Sequence, residues 1–218
     1  NLLPLGIGFL SSYCNKFPDI REQFNIELRF LRTGTKEMVD SFDDPVLVGI
    51  SCYMWNFNAS MALARLVKQR FPNCIIVGGA YSMPNITSRI EPFVKAHPYI
   101  DVMVHGEGEI VLSSLLMNIL AEKDFSTIDG ITFRQLDSPG GYIKTRQRTE
   151  GIELDHIPSP FLNGEFDKFI KQDRDKITGM IWETSRDCPY SCTFCAWGKT
   201  DGKSIRKFNL DRLFEELE

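Results

Sequence analysis

The chain has no apolar run approaching the roughly 18 residues of a membrane span, and no charged-then-apolar leader opens it. A membrane role is not expected, and a cytoplasmic protein is. A strong excess of either charge is also missing. Its 25 Lys plus Arg face 29 Asp plus Glu, a formal net charge of −4, which gives no electrostatic footprint for a nucleic-acid backbone. Six cysteines in 218 residues are too few for a secreted disulfide scaffold. The dinucleotide fingerprint is absent too: Gly106-Glu107-Gly108 lacks the third glycine and sets a carboxylate where a pyrophosphate would lie. An ordinary nicotinamide-binding domain is therefore disfavoured. No internal repeat or low-complexity tract occurs. Apolar material is abundant, at 43 % of residues, which supplies a core and excludes disorder as the dominant state. The length corresponds to between one and two domains.

Charge is spread unevenly. Residues 144–218 carry as many charged side chains as residues 1–143 in about half the length, so the chain changes character near residue 144. The first part alternates strand and helix patterns, which predicts an α/β fold with a doubly wound parallel sheet, flavodoxin-like or Rossmann-like. Candidate strands are 26–31, 46–50, 74–77 and 102–104. Helical spacing marks 59–71 after a possible Asn58 cap, 86–96 and 109–121. Residues 130–134 and 142–144 flank Asp137-Ser138-Pro139-Gly140-Gly141 and read as a hairpin. The expected layout is a domain at 1–143, a charged linker at 144–176, and a new segment at 177–218 that opens with a strand at 179–184. The helix-like stretch 5–13 has no strand before it, so a first strand is expected upstream of residue 1.

Three of the six cysteines crowd into Cys188-Pro189-Tyr190-Ser191-Cys192-Thr193-Phe194-Cys195. Three thiolates on one short loop can hold three irons of a cubane cluster and leave the fourth iron open to an exogenous ligand. Structural zinc wants four ligands, typically in paired cysteine units, and no second pair exists, although His156 or Cys14 could serve as the fourth. A zinc-stabilised binding module thus remains as a reading from another class. A redox pair at Cys192 and Cys195 lacks the rest of a thioredoxin-like unit. Cys14 and Cys74 read as small buried hydrophobes, whereas the reactivity of Cys52 is open.

The segment Glu183 to Cys195 resembles the signature of the radical S-adenosylmethionine (SAM) enzymes, with Asp187 where many relatives carry Gly. The resemblance implies that Cys188, Cys192 and Cys195 bind a 4Fe-4S cluster, and that SAM chelates the open iron and is reductively cleaved there. It implies that Phe194 packs near the adenine and that Trp197, followed by Gly198, lines the same pocket. Core packing is an equal alternative for Trp197.

In a doubly wound sheet, ligands bind beyond the carboxyl ends of the strands, here at the loops 51–56, 78–83 and 105–109. Gly78 and Gly79 after a strand permit close approach of a ligand to the backbone. Together these loops resemble the cobalamin-binding domain that precedes the barrel in many radical SAM enzymes. The resemblance implies that Ser51, Gly78 and Gly79 contact the nucleotide tail of cobalamin, and that the Tyr53 to Asn56 loop faces the corrin. His105-Gly106-Glu107-Gly108-Glu109 supplies the third matching piece, with Gly106 and Glu107 as cofactor contacts. No Asp-x-His-x-x-Gly occurs in the chain as given, and the resemblance to this radical SAM subgroup implies cobalamin without a histidine axial ligand.

The implied protein is a radical SAM enzyme with cobalamin, performing methyl transfer, rearrangement or cyclisation on an unactivated carbon of a small-molecule or peptide substrate. Its electron donor would be a flavodoxin or ferredoxin. A radical SAM enzyme whose first domain binds no cobalamin is the nearer alternative. The chain would hold only the start of the (β/α) barrel and would not cleave SAM by itself.

Overall fold

The computed structural model describes residues 1–30, 33–149, 151–190, 192–195 and 205–218. They divide into two units, one formed by Asn1–Leu31 with Ile152–Glu218 and the other by Arg32–Gly151. No helix is long and apolar enough to cross a membrane among the described residues.

The chain opens with a short strand β1 (Leu2–Leu3), helix α1 (Leu5–Asn15) and helix α2 (Pro18–Gln23). Pro18 occupies the first turn of α2, where its missing N–H has no intrahelical partner to lose. Residues 24–30 show alternating half-buried and exposed side chains, the pattern that suggested a strand, but the described part of that segment is not one. A period of two specifies which side chains are covered; a strand also needs a partner for its hydrogen-bond ladder.

The second unit begins with α3 (Thr35–Asp40) and continues β2 (Leu47–Ser51), α4 (Phe57–Arg70), β3 (Ile75–Gly79), α5 (Thr87–Ala96), β4 (Val102–Val104), α6 (Glu109–Leu120), β5 (Ile131–Arg134) and β6 (Tyr142–Lys144). These strands form one sheet in sequence order, β2-β3-β4-β5-β6. The sheet is mixed: β2, β3 and β4 are parallel as the doubly wound reading expects, β5 and β6 form the expected antiparallel hairpin, and β5 also runs antiparallel to β4. The physical reason is the connection after α6. Residues 121–129 return the chain to the carboxyl end of β4, so Ile131 pairs with Val104 and β5 runs backwards.

Alternation along the strands sorts the core onto two faces. Ile50, Ile76 and Met103 pack with Met61, Ala64 and Val67 of α4 and Ile90 and Val94 of α5. Val77, Val102 and Val104 pack with Val111 and Leu115 of α6 and with Ile131 and Phe133 of β5. Each fully buried aliphatic side chain is worth roughly 1.5–3 kcal/mol, which holds β2, β3 and β4 side by side with their carboxyl ends at one edge of the sheet.

The first unit resumes with α7 (Asp167–Gln172), β7 (Gly179–Met180), β8 (Ser185–Arg186), β9 (Arg206–Lys207) and α8 (Leu210–Glu215). Strand β7 pairs in parallel with β1, and β8 pairs antiparallel with β9. The strand expected at 179–184 is thus only two residues long. The expected boundaries also move: residues 1–31 belong with the carboxyl-terminal part, not with the sheet domain, and most of 144–176 is no free linker. Ile152, Leu154, Ile157 and Phe166 are buried. The backbone of this stretch accepts from Arg206 at Ile152 O and from Arg212 at Ile157 O, and Asp155 accepts from Asn209 N. Charge density misled the reading here, because the charged side chains alternate with apolar ones that find a core.

Candidate functional site

Two places gather the residues singled out by sequence, one in each unit. In the sheet unit, parallel register sets Ser51 beside Gly79 at the carboxyl ends of β2 and β3. The loop after β2 is folded by Asn56. Its Oδ1 accepts from Tyr53 N at 2.7 Å, its Nδ2 donates to Ser51 O at 2.9 Å, and its carbonyl accepts from Ser60 N as α4 begins. Helix α4 therefore starts at Phe57, earlier than a cap at Asn58 would place it. The next loop is tied to this one: Cys52 N donates to Gly79 O, and Ser82 N donates to Cys52 O.

Aromatic rings crown these loops. Tyr53 stacks on Trp55 with centroids 4.7 Å apart and planes 4° from parallel, and Tyr81 lies 6.4 Å from Tyr53. Trp55 is 78 % exposed. Tyr81 was not singled out by sequence; it joins the group because Ala80 takes a left-handed backbone, φ 69°, that no composition pattern marks.

The two glycines differ. Added at Gly78, a Cβ would lie 2.6 Å from Met83 Sδ, and Met83 belongs to the core, so the space beside Gly78 on that face holds a core side chain. A Cβ at Gly79 would meet only Val104 Cβ, at 4.0 Å, and one at Gly49, two residues before Ser51 on the same strand face, would meet nothing within 4 Å. Gly106 follows β4 with φ 87° and equally open surroundings. Gly49, Ser51 and Gly79 thus form an open backbone shelf on one face of the sheet, a surface that fits a broad ligand lying close to the main chain. Glu107 is half-buried beside Gly106.

His105 stands at the end of β4, where its Nε2 is 2.8 Å from Thr132 Oγ1 and its buried Nδ1 has no partner among the described residues. Burial, with a smaller contribution from the Lys144 charge, pushes its pKa down to about 4, so the ring is neutral. Burial also raises the Cys52 and Cys74 thiols to about 11. Both stay protonated near neutral pH, which settles Cys52 as an inert core thiol.

In the other unit, Cys188 and Cys195 are half-buried, Cys192 is exposed, and all three are free thiols. Cys195 N donates to Cys192 O at 3.1 Å, closing a turn between the last two. The donor set, three uncommitted thiols on one loop, suits an iron–sulfur cluster. Among the described residues no three potential ligands, the three cysteines included, are gathered around one ion position, so it is the donor set and its spacing that point to a cluster. Phe194, beside Cys195, is 92 % exposed and presents a bare ring. Trp197 lies outside the described residues.

The base of this loop was not visible in the sequence. Asp187, with φ 77°, accepts from Arg206 Nε at 2.5 Å and from Arg206 Nη2 at 3.3 Å. Nineteen residues separate the partners, and no periodicity links them.

No protein-family model matches the chain. It is 37 % identical over 99 % of its length to 2-(S-pantetheinyl)-carbapenam-3-carboxylate methyltransferase of Streptantibioticus cattleyicolor. It is 36 % identical over the same share to the cobalamin-dependent radical SAM methyltransferase TokK of Streptomyces tokunonensis. The chain spans 31 % of the length of each of these relatives. Its fold matches the cobalamin-dependent SAM radical enzyme OxsB over 99 % of this chain and 28 % of that one, with TM-score 0.71 and 24 % identity. It also matches the radical SAM methyltransferase TsrM from Kitasatospora setae, solved with cobalamin and a [4Fe-4S] cluster, over 100 % of this chain and 42 % of that one, with TM-score 0.63 and 17 % identity. With the cysteine signature and the open shelf at the carboxyl ends of the sheet, these likenesses make the chain similar over its whole length to cobalamin-dependent radical SAM enzymes.

Proposed function

We propose that the protein containing this chain is a cobalamin-dependent radical SAM methyltransferase acting on an unactivated carbon. The observation that carries the reading is the identity of 36–37 % to two methyltransferases across 99 % of the chain, joined to three free thiols on one loop. Rearrangement or cyclisation is the less supported outcome, since these two relatives are methyltransferases.

Cys188, Cys192 and Cys195 hold the cluster through their thiolates. Phe194 offers its exposed ring to the adenine of SAM, and Ser51, Gly79 and Gly106 take the cobalamin against the open backbone shelf. Ser51 adds a half-buried hydroxyl to that shelf. The stacked Tyr53 and Trp55 give the corrin an apolar neighbour that keeps water from it. When bound, the cluster supplies the electron that cleaves SAM and the cobalamin carries the methyl group. An electron donor of the flavodoxin or ferredoxin kind reduces the cluster, and the substrate is a small molecule or peptide.

The test is anaerobic reconstitution of the full-length protein with iron and sulfide, followed by metal and corrin analysis. Replacing any one of Cys188, Cys192 or Cys195 with Ala should abolish iron retention and SAM cleavage. Stoichiometric zinc with no iron in the wild-type protein would defeat the radical SAM reading. Iron with no retained corrin would defeat the cobalamin assignment alone.

A further inference from the structure

We infer that Asp187 and Arg206 form a clasp at the base of the cysteine loop that positions Cys188 for metal capture; the inference rests on the reading of Cys188 as a cluster ligand. Strands β8 and β9 bring the two ends of the loop together, with Ser185 opposite Lys207 and Arg186 opposite Arg206. The ladder stops there. One residue further, Asp187 enters the left-handed region, φ 77°, which a side chain other than Gly, Asn or Asp seldom occupies. That conformation turns the chain out of the strand and sets the direction in which Cys188 leaves it.

What holds Asp187 in this conformation is a two-toothed ion pair. Arg206 Nε and Nη2 donate to the two carboxylate oxygens, and the side chains are only 24 % and 14 % exposed. A bidentate pair of this kind fixes orientation as well as distance. The remaining arm of the guanidinium is committed elsewhere: Arg206 Nη1 donates to Ile152 O at 2.6 Å. Arg206 is therefore anchored at a backbone carbonyl in a buried segment, and it carries that anchorage to the residue beside Cys188.

The surroundings are built to keep Arg206 in place. Phe208, two residues on, is buried, donates its N–H to Thr184 O, and stacks on Phe9 at 5.7 Å. The Arg186 guanidinium lies 5.3 Å from the centre of the same Phe9 ring and donates to Glu183. The loop thus departs from a rigid platform, and the clasp is the last fixed point before the first thiol. Glycine at position 187 would adopt the same φ without strain but could not grip Arg206. The aspartate therefore has a purpose beyond the turn.

The clasp can be separated from general stability with one internal control. In the metal-free full chain, the rate of alkylation by iodoacetamide is followed at each cysteine by mass spectrometry. Cys14, fully buried, reports opening of the unit as a whole. Asp187→Asn and Arg206→Gln should each speed modification of Cys188 several-fold and leave Cys14 unchanged, and the double variant should be no faster than either single one. Asp187→Gly should behave like Asp187→Asn, and Arg206→Lys should restore part of the protection. After anaerobic reconstitution, each variant that exposes Cys188 should retain several-fold less iron than the wild type.

Asp187→Gly at wild-type rate and wild-type iron content would overturn the inference, because the backbone turn would then suffice. So would parallel acceleration at Cys188 and Cys14, which would mark an ordinary structural ion pair. If the wild type takes up no iron while the alkylation pattern holds, the ligand assignment fails and the clasp stands as an organiser of the loop.

Discussion

His105 should make this fold acid-sensitive in a window set by its own burial. An imidazole with an ordinary value of 6.5 and a folded-state value near 4 takes up a proton in the unfolded chain at a pH where the folded chain refuses it. Its contribution is therefore fully present above about pH 6.5 and is lost as the pH falls towards 4. The gap corresponds to at most about 3.4 kcal/mol, at 1.36 kcal/mol per pH unit. The ring is half-buried, not sealed, so solvent screening reduces the expected effect to about 1–2 kcal/mol. The structure names the reason for the refusal: Nε2 is engaged with Thr132, and a proton on Nδ1 would sit in a buried place with no acceptor. His105→Gln keeps a group able to bond Thr132 and removes the titration. Urea unfolding of both proteins at intervals from pH 4 to pH 7.5 gives the comparison. The wild type should lose about 1–2 kcal/mol more than the variant on acidification. Parallel curves would show that the ring is freely protonated in the folded state and would refute the reasoning.

The glycines give two further paired predictions. Gly78→Val should cost about 1–3 kcal/mol of unfolding free energy, since its side chain enters the space of Met83. Gly79→Val should leave the urea midpoint nearly unchanged but weaken cobalamin retention, and equal cobalamin affinity in a folded Gly79→Val protein would move the site off the shelf. In α1, Gly6→Ala meets nothing within 4 Å and should stabilise by about 0.5–1 kcal/mol. The same change at Gly8 falls on the buried Phe166 ring and on Pro160, so packing strain of about 1–3 kcal/mol should outweigh the helix gain. Thermal melts of the two alanine variants that moved in the same direction would contradict this packing.

Much of the architecture was legible because it depends on neighbours in sequence. The runs at 46–50, 74–77 and 102–104 became β2, β3 and β4 within a residue or two, as apolar alternation between helical segments requires. Helix α6 followed from Leu112, Leu115, Leu116 and Ile119, and the hairpin of β5 and β6 from the Pro-Gly-Gly turn, whose Gly140 and Gly141 have φ 78° and 75°. The cysteine spacing was likewise local, and with it the metal chemistry of the donor set. Direction and partnership were not local. Whether β5 runs with or against β4 depends on where residues 121–129 take the chain, and whether 24–30 forms a strand depends on an edge to pair with. Gly78 and Gly79 look alike as letters; only alternate faces of β3 make one a slot for Met83 and the other open shelf. The pairing of Asp187 with Arg206 was hidden for the same reason. An ion pair across 19 residues has no period to read, and it exists because β8 and β9 fold the ends of the loop together.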